Sequence, residues 1–152
     1  MSFYTDALIT DFTDAAFKRC FRQYFAELGI EVRDWDGLFE EMNADSGNEA
    51  YIRTDANGNV IGFIQFIPIR FTSWFFEEVC GFIREFWISP EYRAKGHGAE
   101  LLALAEKRFA DNGIYTAILT TETAERFYSA HGYVKAAGCK AKNNDPVLIK
   151  RL

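Results

Sequence analysis

A chain of 152 residues suits one domain around one hydrophobic core, and nearly half of its residues are hydrophobic. The formal net charge of −5 argues against a nucleic-acid backbone or an anionic membrane as the main partner. No apolar run approaches a membrane span, and the first residues lack a basic stretch followed by an apolar one, so we expect a cytoplasmic protein. The three cysteines are scattered and neither histidine has a partner at metal-ligand spacing, so we expect reduced, buried thiols and no metal.

The first half of the chain predicts two helices followed by a β-hairpin. In order, these elements are a short strand at residues 7–9, helices at 11–28 and 34–43, and strands at 49–54 and 60–71. Apolar residues recur at helical spacing in the first helix, which Thr13 or Asp14 can cap and Gly29 can end. In the loop between the two strands, Asn57-Gly58 is expected to supply the positive φ angles of a hairpin turn.

The second half alternates strands and helices. The segment at 72–79 leads into a buried strand at 82–88. After it the sequence predicts a helix from residue 98 closed by Asn112-Gly113, a strand at 115–120, a helix at 123–130, and strands at 133–140 and 147–152. This order predicts an α/β fold with a mixed sheet of about six or seven strands flanked by about four helices.

The most informative stretch is Arg-Ala-Lys-Gly-His-Gly at residues 93–98, between the buried strand and an amphipathic helix. Two glycines let the backbone turn tightly and bring successive N–H groups together at a helix N-terminus. Arg93 and Lys95 add positive charge, so the segment predicts an anion site suited to phosphate. Taken alone these residues also fit an ordinary turn with solvated charges; the strand and helix on either side favour the anion site.

Two motifs carry a family resemblance. Arg-x-x-Gly-x-Gly after a strand ending in Ile-Ser-Pro-Glu-Tyr resembles the acetyl-CoA pyrophosphate loop of the GCN5-related N-acetyltransferases, the GNAT superfamily. Residues 124–133 are similar to that family's Ala-x-x-Phe-Tyr-x-x-x-Gly-Phe helix. The resemblance implies a single GNAT domain over residues 1–152. It also implies an N-acetyltransferase that moves an acetyl group from acetyl-CoA to a primary amine by direct attack in a ternary complex.

The resemblance places the cofactor on two elements. The pyrophosphate would be held by Arg93, Ala94, Lys95, Gly96, His97 and Gly98. Main-chain groups of Phe86 and Ile88 would pair with the pantetheine arm, and an N–H near Trp87 or Ile88 would polarise the thioester carbonyl. Thr121 stands where the family often has an asparagine that contacts the cofactor.

The catalytic candidates are a tyrosine and a glutamate. Tyr128 matches the family tyrosine that protonates the leaving thiolate, although its helical face also fits a core position. The attacking amine must be neutral, so a base is needed. Phe82 and Arg84 occupy the strand positions that the family often uses, and neither suits a base. The candidates for the base are Glu85 in the strand and Glu77 or Glu78 before it. Glu85 is the first of these, with a structural ion pair to Arg84, or another base, as the alternative.

The acceptor site is predicted from the segment before the buried strand. By the resemblance it draws on the segment at 74–78 and on the loop at 29–37, and the named residues are Trp74, Phe75, Glu77, Glu78 and Arg84. Aromatic rings beside carboxylates suit an amine, from either a small molecule or a protein. The same aromatic residues equally fit a homodimer contact or the core.

Two other functions compete with this interpretation. A non-catalytic acyl-CoA-binding or sensor module would keep the glycine loop and lose the acid and base, and the presence of Tyr128 argues against it. A nucleotide-binding domain would need Gly-x-x-x-x-Gly-Lys-Ser/Thr or Gly-x-Gly-x-x-Gly, and Lys95-Gly96 belongs to neither motif.

Overall fold

A computed structural model describes residues 3–73 and 76–152 of the chain. Its strands are β1 (Tyr4–Ile9), β2 (Glu49–Asp55), β3 (Val60–Thr72), β4 (Glu77–Ile88), β5 (Thr116–Thr120), β6 (Val134–Lys135) and β7 (Val147–Arg151). Its α-helices are α1 (Ala15–Leu28), α2 (Trp35–Ala44), α3 (His97–Asp111) and α4 (Glu125–Ala130), and a short 3-10 turn at Pro90–Tyr92 precedes α3. Trp74 and Phe75, two predicted acceptor residues, lie outside the described residues.

The strands form one mixed sheet in the order β1-β2-β3-β4-β5-β7-β6, which confirms the predicted fold class. Neighbouring strands are antiparallel except β4 and β5, which run parallel because α3 crosses over between them. Along the described strands, β4 and β5 pair only where Gly81 and Phe82 face Ala117 and Ile118. Beyond Phe82, the last part of β4 runs without β5 beside it, and this opening positions the candidate site.

Each face of the sheet carries its own apolar core, because successive strand residues point to opposite faces. Phe63 packs on α1 and α2, in a cluster with Phe17, Phe21, Phe39 and Trp87. Its neighbour Ile64 packs on α3 and α4, in a cluster with Leu101, Leu102, Phe109, Leu119 and Tyr128. Among the described helices, none is long and apolar enough to cross a membrane.

The predicted caps of the first helix are confirmed, but its start is not. The Asp14 carboxylate accepts a hydrogen bond from Phe17 N at 2.9 Å, and Gly29 ends the helix with φ 71°. Residues 11–14 form a separate turn instead of helix, with Asp14 N donating to Asp11 O at 3.2 Å. The α1 helix therefore begins at Ala15, four positions after the predicted residue 11.

The hairpin between β2 and β3 turns at the predicted glycine, but a different residue, Asp55, holds the turn in place. Of the pair Asn57-Gly58, only Gly58 has a positive φ, 81°. The Asp55 carboxylate instead accepts hydrogen bonds from the main-chain N–H groups of Asn57 and Asn59, each at 2.9 Å. An aspartate side chain that bonds backbone two residues on is a common way to close a turn.

Three strand predictions were wrong in length. The β1 strand begins at Tyr4 instead of residue 7. The β4 strand begins at Glu77 instead of residue 82, because the preceding segment pairs directly with the end of β3. The predicted strand at 133–140 is strand only at Val134–Lys135. Its continuation turns at Gly138, which has φ 85°, and Cys139 N donates to Ala136 O at 3.2 Å. A turn of this kind removes the extended backbone that pairing requires.

The cysteine prediction holds for two positions. Cys20 and Cys80 are buried free thiols, whereas Cys139 is exposed and so contradicts the expectation. Burial raises the pKa of Cys20, which keeps it protonated at neutral pH. Cys20 packs in the apolar core on the α1 face and contributes packing.

Candidate active site

A cavity of about 460 Å³ lies where β4 runs without β5. Phe86 and Ile88 of β4, Gly98 of α3, and Phe127 and Tyr128 of α4 line it. The cavity therefore combines the predicted strand, the glycine loop and the second motif helix. A larger hollow of about 560 Å³ lies between β6 and β7, but it is lined by residues 135–147 and contains none of the predicted site residues.

The main chain at the end of β4 directs some of its hydrogen-bonding groups at this cavity. Ser89 N donates to Ile61 O at 2.8 Å, and Ile88 is paired with Gly62. In an antiparallel ladder alternate residues bond to the same neighbour, so Trp87 and Ser89 direct their main-chain groups at β3. The main-chain groups of Phe86 and Ile88 consequently point at the open edge, where an added segment could pair with them.

A β-bulge sets the direction of the two charged residues in β4. Gln65 faces Glu85 and Phe66 faces Ile83, so Arg84 is the extra residue. Ile83 and Phe86 both pack on the α3 side, and the two residues between them turn to the α1 and α2 side. There Arg84 forms an ion pair with Asp45 at 2.9 Å. Arg84 therefore pairs with Asp45, and not with Glu85, the partner that the sequence left open as an alternative.

Glu85 is held by a residue of α1. Tyr24 Oη donates to Glu85 Oε2 at 2.5 Å. Burial raises the pKa of Glu85, and the hydrogen bond from Tyr24 opposes that rise. Burial, the hydrogen bond to Glu85 and the proximity of Tyr128 raise the pKa of Tyr24, so this tyrosine stays protonated at neutral pH beside Glu85.

The predicted phosphate loop has the geometry of an anion nest. Ala94 and Gly96 have φ values of 61° and 89°, and α3 begins at the next residue, His97. The first N–H groups of a helix have no carbonyl partner within it and carry its positive dipole end. A Cβ at Gly96 would meet no atom within 4 Å, so the requirement for glycine there is conformational.

The Arg93 side chain is engaged by protein groups. Its Nη2 lies 2.7 and 2.8 Å from the two carboxylate oxygens of Glu27, and its Nε donates to Ile88 O at 2.9 Å. The Trp87 indole N–H donates to the same Glu27 carboxylate at 2.5 Å. This arrangement ties α1 to the end of β4. The other positive charge of the loop, the Lys95 ammonium, lies 5.8 Å from the centroid of the Tyr92 ring.

Two predicted cofactor residues direct their side chains elsewhere. His97 Nδ1 lies 2.9 Å from Arg53 Nη1, and its ring packs against Tyr4 and Tyr92. The Thr121 hydroxyl accepts a hydrogen bond from Ala124 N at 3.0 Å and so closes the turn that leads into α4. The two residues position the loop and the helix, and neither side chain lines the cavity formed by the described residues.

Tyr128 belongs both to the core and to the cavity. Its ring contacts Phe86 and Tyr133, with centroids 6.5 and 5.5 Å apart, and the residue is buried. Burial raises the pKa of Tyr128 to about 12. Within residues 3–73 and 76–152, none of the hydrogen bonds uses its hydroxyl, so the group is free to act on a bound molecule.

Glu77 and Glu78 stand at the other end of β4. Glu77 is exposed and forms an ion pair with Arg70. A strand rises about 3.3 Å per residue, so the chain from Glu78 to Ile88 separates the two ends by roughly 30 Å. The structure therefore does not bring these predicted acceptor residues to the cavity.

Tyr24, Glu27 and Arg53 are site residues that the sequence patterns did not indicate. In the sequence, Tyr24 falls on the apolar face of α1, and the one sign of a polar role is that it carries a hydroxyl among phenylalanines. Glu27 and Arg53 contact residues 66 and 44 positions away, respectively, so no local motif contains both partners. Among the described residues, no three His, Cys, Asp or Glu side chains form a group that would hold a metal ion.

Comparison with known proteins identifies relatives. The model of the acetyltransferase (GNAT) family matches residues 8–133, and no curated protein matches at a significant level. A GNAT-family acetyltransferase from Staphylococcus aureus Mu50 superposes with TM-score 0.70 and 17% identity, covering 97% of this chain and 99% of that one. A predicted acetyltransferase with acetyl-CoA from Clostridium acetobutylicum gives 0.71 and 15%, covering 93% and 95%.

A third similar structure is N-acetylglutamate synthase from Neisseria gonorrhoeae, complexed with coenzyme A and N-acetyl-glutamate. It superposes with TM-score 0.70 and 17% identity, over 97% of this chain and 35% of that one. At these identities the structural matches establish the fold, and the family model establishes the relationship.

Proposed function

Since this chain belongs to the GNAT acetyltransferase family, we propose that it transfers an acetyl group from acetyl-CoA to a primary amine by direct attack in a ternary complex. One observation carries the proposal. The Tyr128 hydroxyl, which has no hydrogen-bond partner among residues 3–73 and 76–152, meets the open edge of β4 and the N-terminus of α3 at a single cavity.

The residues present fit acetyl-CoA, which supplies an activated thioester. Main-chain N–H groups at residues 94–98 suit the diphosphate, because the positive φ values of Ala94 and Gly96 bend them towards the start of a helix. Phe86 and Ile88 offer main-chain groups to the amides of the pantetheine arm. Of the two N–H groups considered for the thioester oxygen, that of Ile88 points at the open edge and that of Trp87 at β3.

The proton transfers fall to two side chains. Tyr128 stays protonated at neutral pH and donates to the sulfur as the carbon–sulfur bond breaks, recovering its proton from solvent. The new carbon–nitrogen bond leaves an excess proton on the amine, which we assign to Glu85, directly or through water. The raised pKa of Glu85 suits this task, since a base works best with a pKa near the operating pH.

The test is an amine panel that includes amino acids, polyamines, aminoglycosides and a peptide N-terminus. Thiol release from acetyl-CoA is measured alongside coenzyme A binding by calorimetry. We expect at least one amine to release thiol in step with its own acetylation. Coenzyme A binding without turnover of any amine would favour the non-catalytic sensor module, and absence of binding would reject both functions.

A further inference from the structure

The guanidinium of Arg53 is buried in the middle of a polar cluster. The side chain is 2% exposed, and its Nε and Nη2 lie 2.7 and 2.9 Å from the two carboxylate oxygens of Asp6. Its Nη1 lies 2.7 Å from Glu100 Oε2 and 2.9 Å from His97 Nδ1. The Tyr4 ring covers the guanidinium, with its centroid 3.8 Å from Cζ.

These contacts join two strands to the first turn of one helix. Asp6 belongs to β1 and Arg53 to β2, while His97 is the first residue of α3 and Glu100 lies in its first turn. Two residues further along, Asp55 accepts a hydrogen bond from the Tyr92 hydroxyl at 2.9 Å. Residues 93–96 are thus fixed on both sides to the end of β2.

Burial of this charge calls for a reason other than stability. A buried ion pair adds little to the free energy of unfolding compared with apolar residues of the same volume. Removing one partner of such a pair nevertheless destabilises a protein strongly. What a planar fork of donors does provide is fixed geometry between its partners. Here the fixed partners are the strands and the segment whose main chain would bind the diphosphate.

We propose that Arg53 is a positioning residue for the cofactor loop. By holding His97 and Glu100 against β1 and β2, it fixes the start of α3 and with it the N–H groups of residues 94–98. This inference rests on the proposed use of acetyl-CoA. It assigns to Arg53 a share of the affinity for the phosphates, although the side chain itself lies behind the loop.

The chain contains a matched control. Arg108 binds Glu49 through two hydrogen bonds of 2.9 and 3.2 Å, which tie the same helix to the same strand at the opposite end of each. Arg108→Met and Arg53→Met each remove a guanidinium that joins α3 to β2. The two substitutions differ in their distance from the loop.

The experiment measures calorimetric affinity for coenzyme A and for 3′-phosphoadenosine 5′-diphosphate, its phosphate-bearing half, together with turnover of S-acetylpantetheine, which lacks those phosphates. We expect Arg53→Met and His97→Ala to weaken binding of both phosphate ligands by about tenfold or more. Turnover of S-acetylpantetheine should stay at the parent value. We expect Arg108→Met to lower the melting temperature and leave both affinities unchanged.

Each contrary result has a distinct meaning. His97→Ala breaks only one contact of Arg53, so it reports on the loop even where Arg53→Met does not fold. Unchanged affinity for the phosphate ligands in folded variants would overturn the positioning role. A fall in the turnover of S-acetylpantetheine as large as the fall in affinity for the phosphate ligands would also overturn the positioning role. If the parent protein itself bound neither phosphate ligand, the proposed function would fail first.

Discussion

At the scale of single residues, the Tyr128 hydroxyl is the group best placed for acid chemistry. We expect Tyr128→Phe to lower kcat by about ten- to a hundredfold. This is a small effect for the loss of a general acid, because a thiol is already a fair leaving group. Coenzyme A affinity should change little, since the phenyl ring is kept. The measurement is steady-state kinetics beside calorimetry.

Tyr133→Phe is the matched control for that substitution. Tyr133 is also buried and contacts Tyr128, but its hydroxyl donates to Glu106 at 2.9 Å, away from the cavity. Losing that bond should cost about 1 kcal/mol of stability and leave kcat unchanged. Equal turnover in the parent and in Tyr128→Phe would return Tyr128 to a purely packing role.

Glu85 and Tyr24 make a prediction about pH. If Glu85 is the base, kcat/KM rises with pH until its carboxyl is ionised, and Glu85→Gln removes that rise and lowers activity by about a hundredfold. The Tyr24 hydrogen bond lowers the pKa of Glu85, so Tyr24→Phe should move the rise to higher pH. The pH–rate profiles of the three proteins with one amine test this; identical profile shapes would remove Glu85 from the reaction.

At the scale of elements, what was predictable depends on whether the signal is local. The residues that form the glycine loop and α3 are contiguous, so the turn, the helix and the end of the strand before them were predicted within a residue or two. The bulge at Arg84 comes from a slip in pairing with β3, and nothing in residues 82–88 marks it. The direction of Glu85, and its contact with Tyr24, could not be predicted for that reason.

The same distinction explains why the predicted strand at 133–140 was too long. Residues 133–140 have extended propensity at their start, but their pairing depends on β7, which lies beyond a further turn. Gly138 was the local sign that the strand would end, and it was assigned to the strand interior.

The α3 helix offers a prediction that separates strain from function. Gly96 and Gly113 flank it with φ values of 89° and 76°, and a Cβ at either position meets no atom within 4 Å. Gly96→Ala and Gly113→Ala should each therefore cost about 1–2 kcal/mol of unfolding free energy. Only Gly96→Ala should weaken the binding of coenzyme A, by about tenfold. The loop can relieve the strain at residue 96 only by moving the N–H groups of residues 94–98. Calorimetry and denaturant melts compare them; equal affinity in both variants would exclude the nest.

At the scale of the whole molecule, the order of elements predicted the mixed sheet. Composition predicted one core where the structure has two, one on each face of the sheet, and it did not predict the ties between layers. The contacts of Glu27 with Trp87 and Arg93 join α1 to the end of β4. The contacts of Arg53 join the sheet edge to α3. Each tie pairs a charged residue with a partner far along the chain, and a charged residue in sequence looks the same whether it is solvated or paired.

One of these ties predicts how the free energy of unfolding depends on pH. Burial and the adjacent Arg53 lower the pKa of His97, with Lys95 adding to the effect and Glu100 and Asp6 opposing it. An unfolded histidine has a pKa near 6.5, so below that pH the unfolded chain binds more protons than the native one. This contribution to stability is present in full above about pH 6.5 and is lost as the pH falls through the lower native pKa.

His97→Asn tests that contribution without breaking the cluster, because an asparagine Oδ1 can accept the hydrogen bond that Arg53 donates to Nδ1. Glu85, whose pKa is raised, acts with the opposite sign in both proteins and cancels in the comparison. Denaturant melts between pH 5 and pH 8 should show the parent losing more stability on acidification than His97→Asn, by less than about 1.4 kcal/mol per pH unit. Parallel curves would mean that His97 keeps its ordinary pKa and that the Arg53 contact is unimportant for its protonation.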